Sequence, residues 1–305
     1  MCDFSCYGGP SDQWLAVQAT LPAPRTDQTI EERQKFTNDW RESIAAEAMK
    51  DLGSLVQVKD YSIPTRDNSS IEARTYRPAD TDPAEKLPVY IHLHGGGYFF
   101  GTLSSEDAIC ARIAIKTGVA VLNVNYRHTP KFTYPTAWND AQDAFEWLHS
   151  HISEVGGDGQ KVVVGGISGG AQIAASLVLE KQLQKATVSC PPIAGQVLMI
   201  PCLANVDCYE PQLAKLKDPS VSSYIENENA PILPMTTIRF FTDLLKVDTP
   251  DVTDTKLSPG NASPDKVRGL PPTTFGIAGL DPLRDEGLLF AKMLTEEGLV
   301  NWLSI

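Results

Sequence analysis

"VVVGGISGGAQIA", residues 162–174, decides the reading of this 305-residue chain. An apolar, β-branched run leads into a serine among glycines, and small apolar residues follow. This is the pattern of a strand that turns through Ser168 into a helix. Gly166-Ile167-Ser168-Gly169-Gly170 fits G-x-S-x-G, where the turn strains the serine backbone and admits only small neighbours. A serine so placed acts as a nucleophile when a base takes its proton. Glycine-rich turns after strands are common, so the strand before and the helix after give the pentapeptide its weight.

Outward from this turn the chain alternates. "LPVYIHLH" (87–94), "VAVLNVNYR" (119–127), "KVVVGGIS" (161–168), "AGQVLMIP" (194–201) and "TTFGIAGL" (273–280) read as strands. Helices are expected over 104–117, around Trp138–Ile152, from Gly169 to about Gln184, and from Arg284 to Glu297. "VQVKDYSIP" (56–64) and "IEARTYRP" (71–78) flank a turn-rich "TRDNSS" and read as an antiparallel hairpin. Near-continuous apolar strands separated by helices predict an α/β chain with a doubly wound, mostly parallel sheet. Thr29 and Glu32 have capping-box spacing, and Phe36, Trp40 and Ile44 recur every four residues, which predicts an amphipathic helix over about 30–50. The expectation is one domain over 1–305. Residues 1–55 and about 205–260, the latter read as irregular, form a cap over the carboxyl edge of the sheet, where such folds bind ligands.

Composition narrows the function. The chain is 42% hydrophobic and 21% charged, enough for a sizeable core, and its net charge of −12 without a basic cluster argues against nucleic acid as a partner. No signal peptide is expected from "MCDFSCYGGPSDQW", and no run approaches the roughly 20 apolar residues of a membrane span. The six scattered cysteines fit neither a zinc site nor a disulfide framework, which points to reduced thiols and a cytoplasmic setting.

Two further motifs carry chemistry. "HGGGYFFG", His94 to Gly101, follows a strand, and its consecutive glycines free backbone N–H groups to face a site. With the N–H of Gly169 they can serve an oxyanion. A Walker phosphate loop would need Gly-Lys-Ser/Thr, which is absent. Asp281, in "IAGLDPLRDEG", stands between a strand and a helix, where the acid of a triad would lie. Asp285 and Glu286 read as first-turn carboxylates favoured by the helix dipole.

Together "HGGGYFFG", "NYRHTPKFTYPTAWNDAQDAFEWL", "GGISGGAQIAAS" and "GLDPLRDEG" resemble the hormone-sensitive-lipase-like family of α/β-hydrolase esterases, from about residue 56 to the end. The resemblance implies the α/β-hydrolase fold, with Ser168 as nucleophile and Asp281 as acid. It implies Gly96, Gly97 and Gly169 as oxyanion donors, His94 and Gly95 as the start of the oxyanion motif, and a helical amino-terminal cap. The chain departs from the family at Ile167, where an aspartate is usual, and in "NYRHTPK", where "DYRLAPE" is favoured. The implied reaction is hydrolysis of a small or medium apolar ester through an acyl-enzyme, with no metal or cofactor, in a microbial secondary-metabolite setting. Short acyl chains are the family preference, and Tyr98, Phe99 and Phe100 suit an apolar substrate.

The base is the unresolved member. In this fold it should be a histidine after Asp281. The five histidines, His92, His94, His128, His149 and His151, all precede Ser168. After Gly298 the sequence reads "LVNWLSI", enough for a last strand but not for the loop beyond it. His92 is expected to be buried and His149 solvated. His128, after a strand at the carboxyl edge, is the one upstream candidate. Two readings follow: an esterase whose sequence is shortened, or a relative without a base that binds a small molecule, as plant gibberellin receptors do.

Overall fold

The computed structural model describes residues 1–20 and 27–304. Its strands are β1 (Val56–Pro64), β2 (Ser70–Pro78), β3 (Leu87–Leu93), β4 (Ala120–Asn125), β5 (Gly157–Ile167), β6 (Gly195–Met199), β7 (Thr273–Gly276) and β8 (Val300–Ser304). They form one eight-stranded sheet in the order β1-β2-β4-β3-β5-β6-β7-β8. The β1–β2 hairpin pairs Val56 with Pro78 and joins antiparallel to β4, and every later pairing is parallel. This is the α/β-hydrolase arrangement expected from the sequence, and "LVNWLS" supplies the last strand. The central strands lack alternation because both faces are covered: Ile91, Leu122 and Val164 on one face and Val121, His92 and Asn123 on the other are at most 1% exposed.

Among the described residues seven helices of seven residues or more accompany the sheet: α1 (Asp12–Gln18), α2 (Ile30–Leu52), α3 (Leu103–Thr117), α4 (Thr136–Ser150), α5 (Gly169–Gln182), α6 (Met235–Leu244) and α7 (Arg284–Glu296). Thr102 caps α3, which stops at Gly118 in the left-handed conformation. The stretch 205–260, read as irregular, contains α6 between short turns. Its signal was present in Ile238, Phe241, Leu244 and Leu245, spaced by three and four. Pro234 opens the helix without a side-chain cap, so it carries no start signal.

The amino-terminal helix forms with its capping box, Thr29 and Glu32 each bonding the other's backbone. Its apolar stripe, however, faces outward: Phe36, Trp40 and Ile44 are 43%, 58% and 52% exposed. Gln34, Asn38, Arg41 and Glu42 face the protein instead. Gln34, Asn38 and Arg41 meet loop backbone, whose N–H and C=O groups require polar partners, while Arg41 also pairs with Glu106 and Glu42 accepts from the Thr102 hydroxyl. The far end of α2 packs apolar atoms: Ala45 is buried, and Met49 and Leu52 lie against the cluster of Tyr76, Cys110 and Ala114.

Candidate active site

Ser168 sits between β5 and α5 with φ 54° and ψ −119°, a conformation L-residues rarely adopt. Its N–H donates to the Met199 carbonyl at 2.9 Å, and its own carbonyl accepts from Gln172 N at 3.1 Å. The turn demands small neighbours because α5 starts against β3: a Cβ on Gly170 would collide with the Leu93 and His94 carbonyl oxygens. Strain at Ser168 is therefore enforced by the strand on one side and a buried helix on the other.

The glycine loop after β3 curls back toward this turn, with φ 136° at Gly96 and 61° at Gly97. The Gly95 carbonyl is held by Arg41 Nη1 at 3.2 Å and by His94 Nδ1 at 3.2 Å. The Gly96 carbonyl accepts from Phe99 N (3.1 Å) and Phe100 N (2.9 Å). A trans peptide directs its N–H opposite to its C=O. The N–H groups of Gly96 and Gly97 are thus turned away from these partners. Among the described residues neither they nor the N–H of Gly169 meets an acceptor. Gly96, Gly97 and Ser168 line one cavity, and Gly97, Ser168 and Gly169 another.

Asp281 follows β7 in the turn into α7 and is 8% exposed. One oxygen accepts from Leu283 N at 2.9 Å, while Asn227 Nδ2 holds the Asp281 carbonyl at 3.0 Å. Burial pushes its carboxyl up to about 6. Asp285 and Glu286 do lie in the first turn of α7, but their role is tertiary and both are fully buried. Asp285 accepts from Ser223 N (2.7 Å) and Arg284 Nε (2.9 Å). Glu286 accepts from Leu203 N (2.5 Å), Ala204 N (2.9 Å) and the Tyr224 hydroxyl, and burial raises it to about 7. These bonds fasten the loop after β6, whose Cys202 N–H reaches the Ser168 carbonyl at 3.4 Å.

No histidine completes the set. Among the described residues no side chain bonds Ser168 Oγ, and Asp281 has no histidine partner. His128 lies on the far side of the glycine loop, its Nε2 3.2 Å from His94 Nε2. It lines a cavity that contains neither Ser168 nor Asp281. His94 Nδ1–H donates to Gly95 O, so His94 Nε2 accepts the proton of His128 Nε2. Burial lowers His94 to about 4 and drives His128 down as well. His92 is buried as expected, bonding Glu106 Oε2 at 3.0 Å. His149 is only partly exposed, packing edge-on to Phe145 with its Nε2 buried. His151 stacks on Trp147.

Ser168 stands between two cavities. The outer, about 660 Å³, is mostly apolar and is lined by Gly96, Asp281, Ile277, Ile232, Tyr7 and Trp14 among others. The inner, about 30 Å³, is lined by Tyr98, Gln172, Ile238, Leu245 and Leu283 among others. Phe241 and Leu233 border both. Of the three aromatics in the glycine loop only Tyr98 lines a cavity beside Ser168. Phe99 and Phe100 instead pack with Phe240, Phe241 and Leu244, anchoring the loop to α6. Among the described residues no cluster of three or more His, Cys, Asp or Glu could hold a metal ion, and no helix is long and apolar enough to cross a membrane.

A family model for the alpha/beta hydrolase fold matches residues 90–301. The chain belongs to this family. It is 32% identical over 250 residues to an ethyl acetate hydrolase of Pseudomonas putida, covering 81% of this chain and 73% of the relative. It is 30% identical to a versiconal hemiacetal acetate esterase of Dothistroma septosporum, over 70% of this chain and 62% of the relative. The crystal structure of vibralactone cyclase superposes with a TM-score of 0.84 over 100% of this chain and 88% of its own, a likeness of fold at 24% identity. With ester hydrolases as its relatives, the chain is a carboxylesterase-like hydrolase.

Proposed function

We propose that this site performs acyl transfer from an ester to Ser168, with water as the final acceptor. The observation that carries the reading is the convergence of a strained, unpaired Ser168 hydroxyl with three unpaired backbone N–H groups at Gly96, Gly97 and Gly169. Ser168 Oγ attacks the ester carbonyl, and the developing oxyanion accepts from these donors, which are already oriented before the substrate arrives. In such a mechanism the base must be held by the acid and must also reach the leaving oxygen. The leaving alcohol therefore lies on the Asp281 side, in the outer cavity of about 660 Å³, and the acyl group enters the inner cavity of about 30 Å³. That asymmetry favours an acetate-sized acyl group on a larger apolar alcohol, and two relatives named for acetate esters support it. The leading segment, through Tyr7 and Trp14, and the stretch around 205–260, through Leu233 and Phe241, act as the cap over this opening.

None of the chain's five histidines is placed to take the Ser168 proton, so the 305-residue chain turns over slowly. Loss of a triad base costs on the order of a million-fold in turnover. The test compares p-nitrophenyl acetate, butanoate and octanoate with the 305-residue chain and with a version extended by a relative's final loop and helix. The extension raises acetate hydrolysis by many orders of magnitude, and Ser168→Ala abolishes the gain. The same lack of a base beside an intact apolar cavity favours a second reading, a small-molecule binding protein. Restoration that fails, together with tight binding of an apolar ligand by the 305-residue chain, would establish it.

A further inference from the structure

The structure assigns Arg41 of α2 as a positioning residue for the oxyanion donor at Gly96; this rests on the acyl-transfer reading of the Ser168 site. Arg41 Nη1 bonds the Gly95 carbonyl at 3.2 Å, and Arg41 Nη2 bonds Glu106 Oε1 at 2.6 Å. Glu106 is almost fully buried and its other oxygen takes His92 Nε2 at 3.0 Å. Although burial alone would raise Glu106, the bond and charge of His92, with His94 and Arg41, hold its carboxyl at about 2. The guanidinium is therefore fixed in place by a charged partner that is itself fixed to β3. Because the Gly95–Gly96 peptide is trans and planar, holding its oxygen on the α2 side directs the Gly96 N–H to the Ser168 side. Glycine at both positions leaves this peptide free to flip, so the oxygen has to be held from outside the loop. The rest of α2 secures the loop's ends: Gln34 Nε2 donates to the Phe99 carbonyl (2.5 Å), and Asn38 Oδ1 accepts from Gly101 N (2.9 Å). Only Arg41, together with His94, acts on the peptide that carries the donor.

The test uses phenylboronic acid on the 305-residue chain at pH 8, because it needs no turnover. The Ser168 oxygen donates an electron pair to boron, its proton passes to solvent buffer, and the tetrahedral anion places an oxygen where the oxyanion would lie. Benzamide, a neutral isostere that forms no adduct, reports cavity filling alone. Affinities are measured calorimetrically, with the ¹¹B shift identifying the tetrahedral species. The wild type binds the boronate more tightly than Ser168→Ala. Arg41→Met weakens it by about ten- to a hundred-fold and leaves benzamide within twofold. Arg41→Lys recovers part of the loss, since an ammonium can reach one of the two acceptors. Asn38→Ala, acting only at Gly101, costs less than Arg41→Met. The proposal is overturned if Arg41→Met keeps boronate affinity within twofold, if boronate and benzamide weaken together, or if Asn38→Ala costs as much. A wild type no better than Ser168→Ala would sink the Ser168 reading itself, and the Arg41 role with it.

Discussion

Asp281→Asn is expected to stabilise the protein at neutral pH, and the gain is expected to disappear in acid. Asp281 is 8% exposed, and one backbone N–H, from Leu283, answers its carboxylate. Burial lifts its pKa from the usual 3.8 to about 6. Because the folded value exceeds the unfolded one, the fold gains from the protonated acid below pH 4. That gain is lost as pH rises through 6, where the charge must be kept buried. The rise corresponds to about 3 kcal/mol at pH 7, about 1.5 kcal/mol at pH 5 and roughly 0.5 kcal/mol at pH 4. Asparagine keeps an oxygen for Leu283 N and removes the charge. Urea unfolding of both proteins between pH 4 and 8 measures the difference, and other titrating groups cancel to first order. A variant less stable at pH 7, or a difference that does not change with pH, would refute the argument that desolvation without a cationic partner sets this pKa. The stabilised variant should at the same time lose any hydrolysis restored by a supplied base, since the buried charge is what that base would pair with.

Three further outcomes follow from the same geometry. A fluorophosphonate probe labels the protein at Ser168, so mass spectrometry finds no adduct in Ser168→Ala. His128→Ala leaves the labelling rate within several-fold, because His128 donates to His94 behind the glycine loop; a drop of about ten-thousand-fold would make it the base after all. Leu245→Ala, in the wall of the inner cavity, raises the ratio of butanoate to acetate reactivity at Ser168 by about tenfold. It also costs roughly 2–5 kcal/mol of stability in urea titrations.

What could be read from the chain divides by range of interaction. Ser168, Gly96, Gly97 and Asp281 were legible because each answers a local backbone demand: a strained turn, a glycine-only loop, a strand-to-helix junction. The sheet was legible because doubly covered strands have no choice but to be apolar. The orientation of α2 was not legible, since Phe36, Trp40 and Ile44 mark an apolar stripe but cannot say what the opposite face meets. That face meets carbonyl oxygens of a loop more than 50 residues away in sequence. Asp285 and Glu286 take the first-turn places expected of them, but for the same reason their bonds to Leu203, Ala204, Ser223 and Tyr224 were not legible. Phe99 and Phe100 looked like substrate contacts, although α6, which covers them, was itself hidden in an apparently irregular stretch.

The way α2 is attached also decides which part of the molecule gives way first. Its outer stripe stays about half in water, and over the loop it is seated mainly by hydrogen bonds, neutral ones worth about 0.5–1.5 kcal/mol each and those of charged Arg41 about 1.5–3 kcal/mol. The strands beneath are buried on both faces. Release of the part of the helix over the loop costs less than opening the sheet, a local unfolding that leaves the sheet standing. Heat then silences the donor loop before it melts the fold, so activity and backbone circular dichroism would report different temperatures. Reinforcing the sheet would leave the working lifetime unmoved, whereas tightening the seat of one helix would lengthen it.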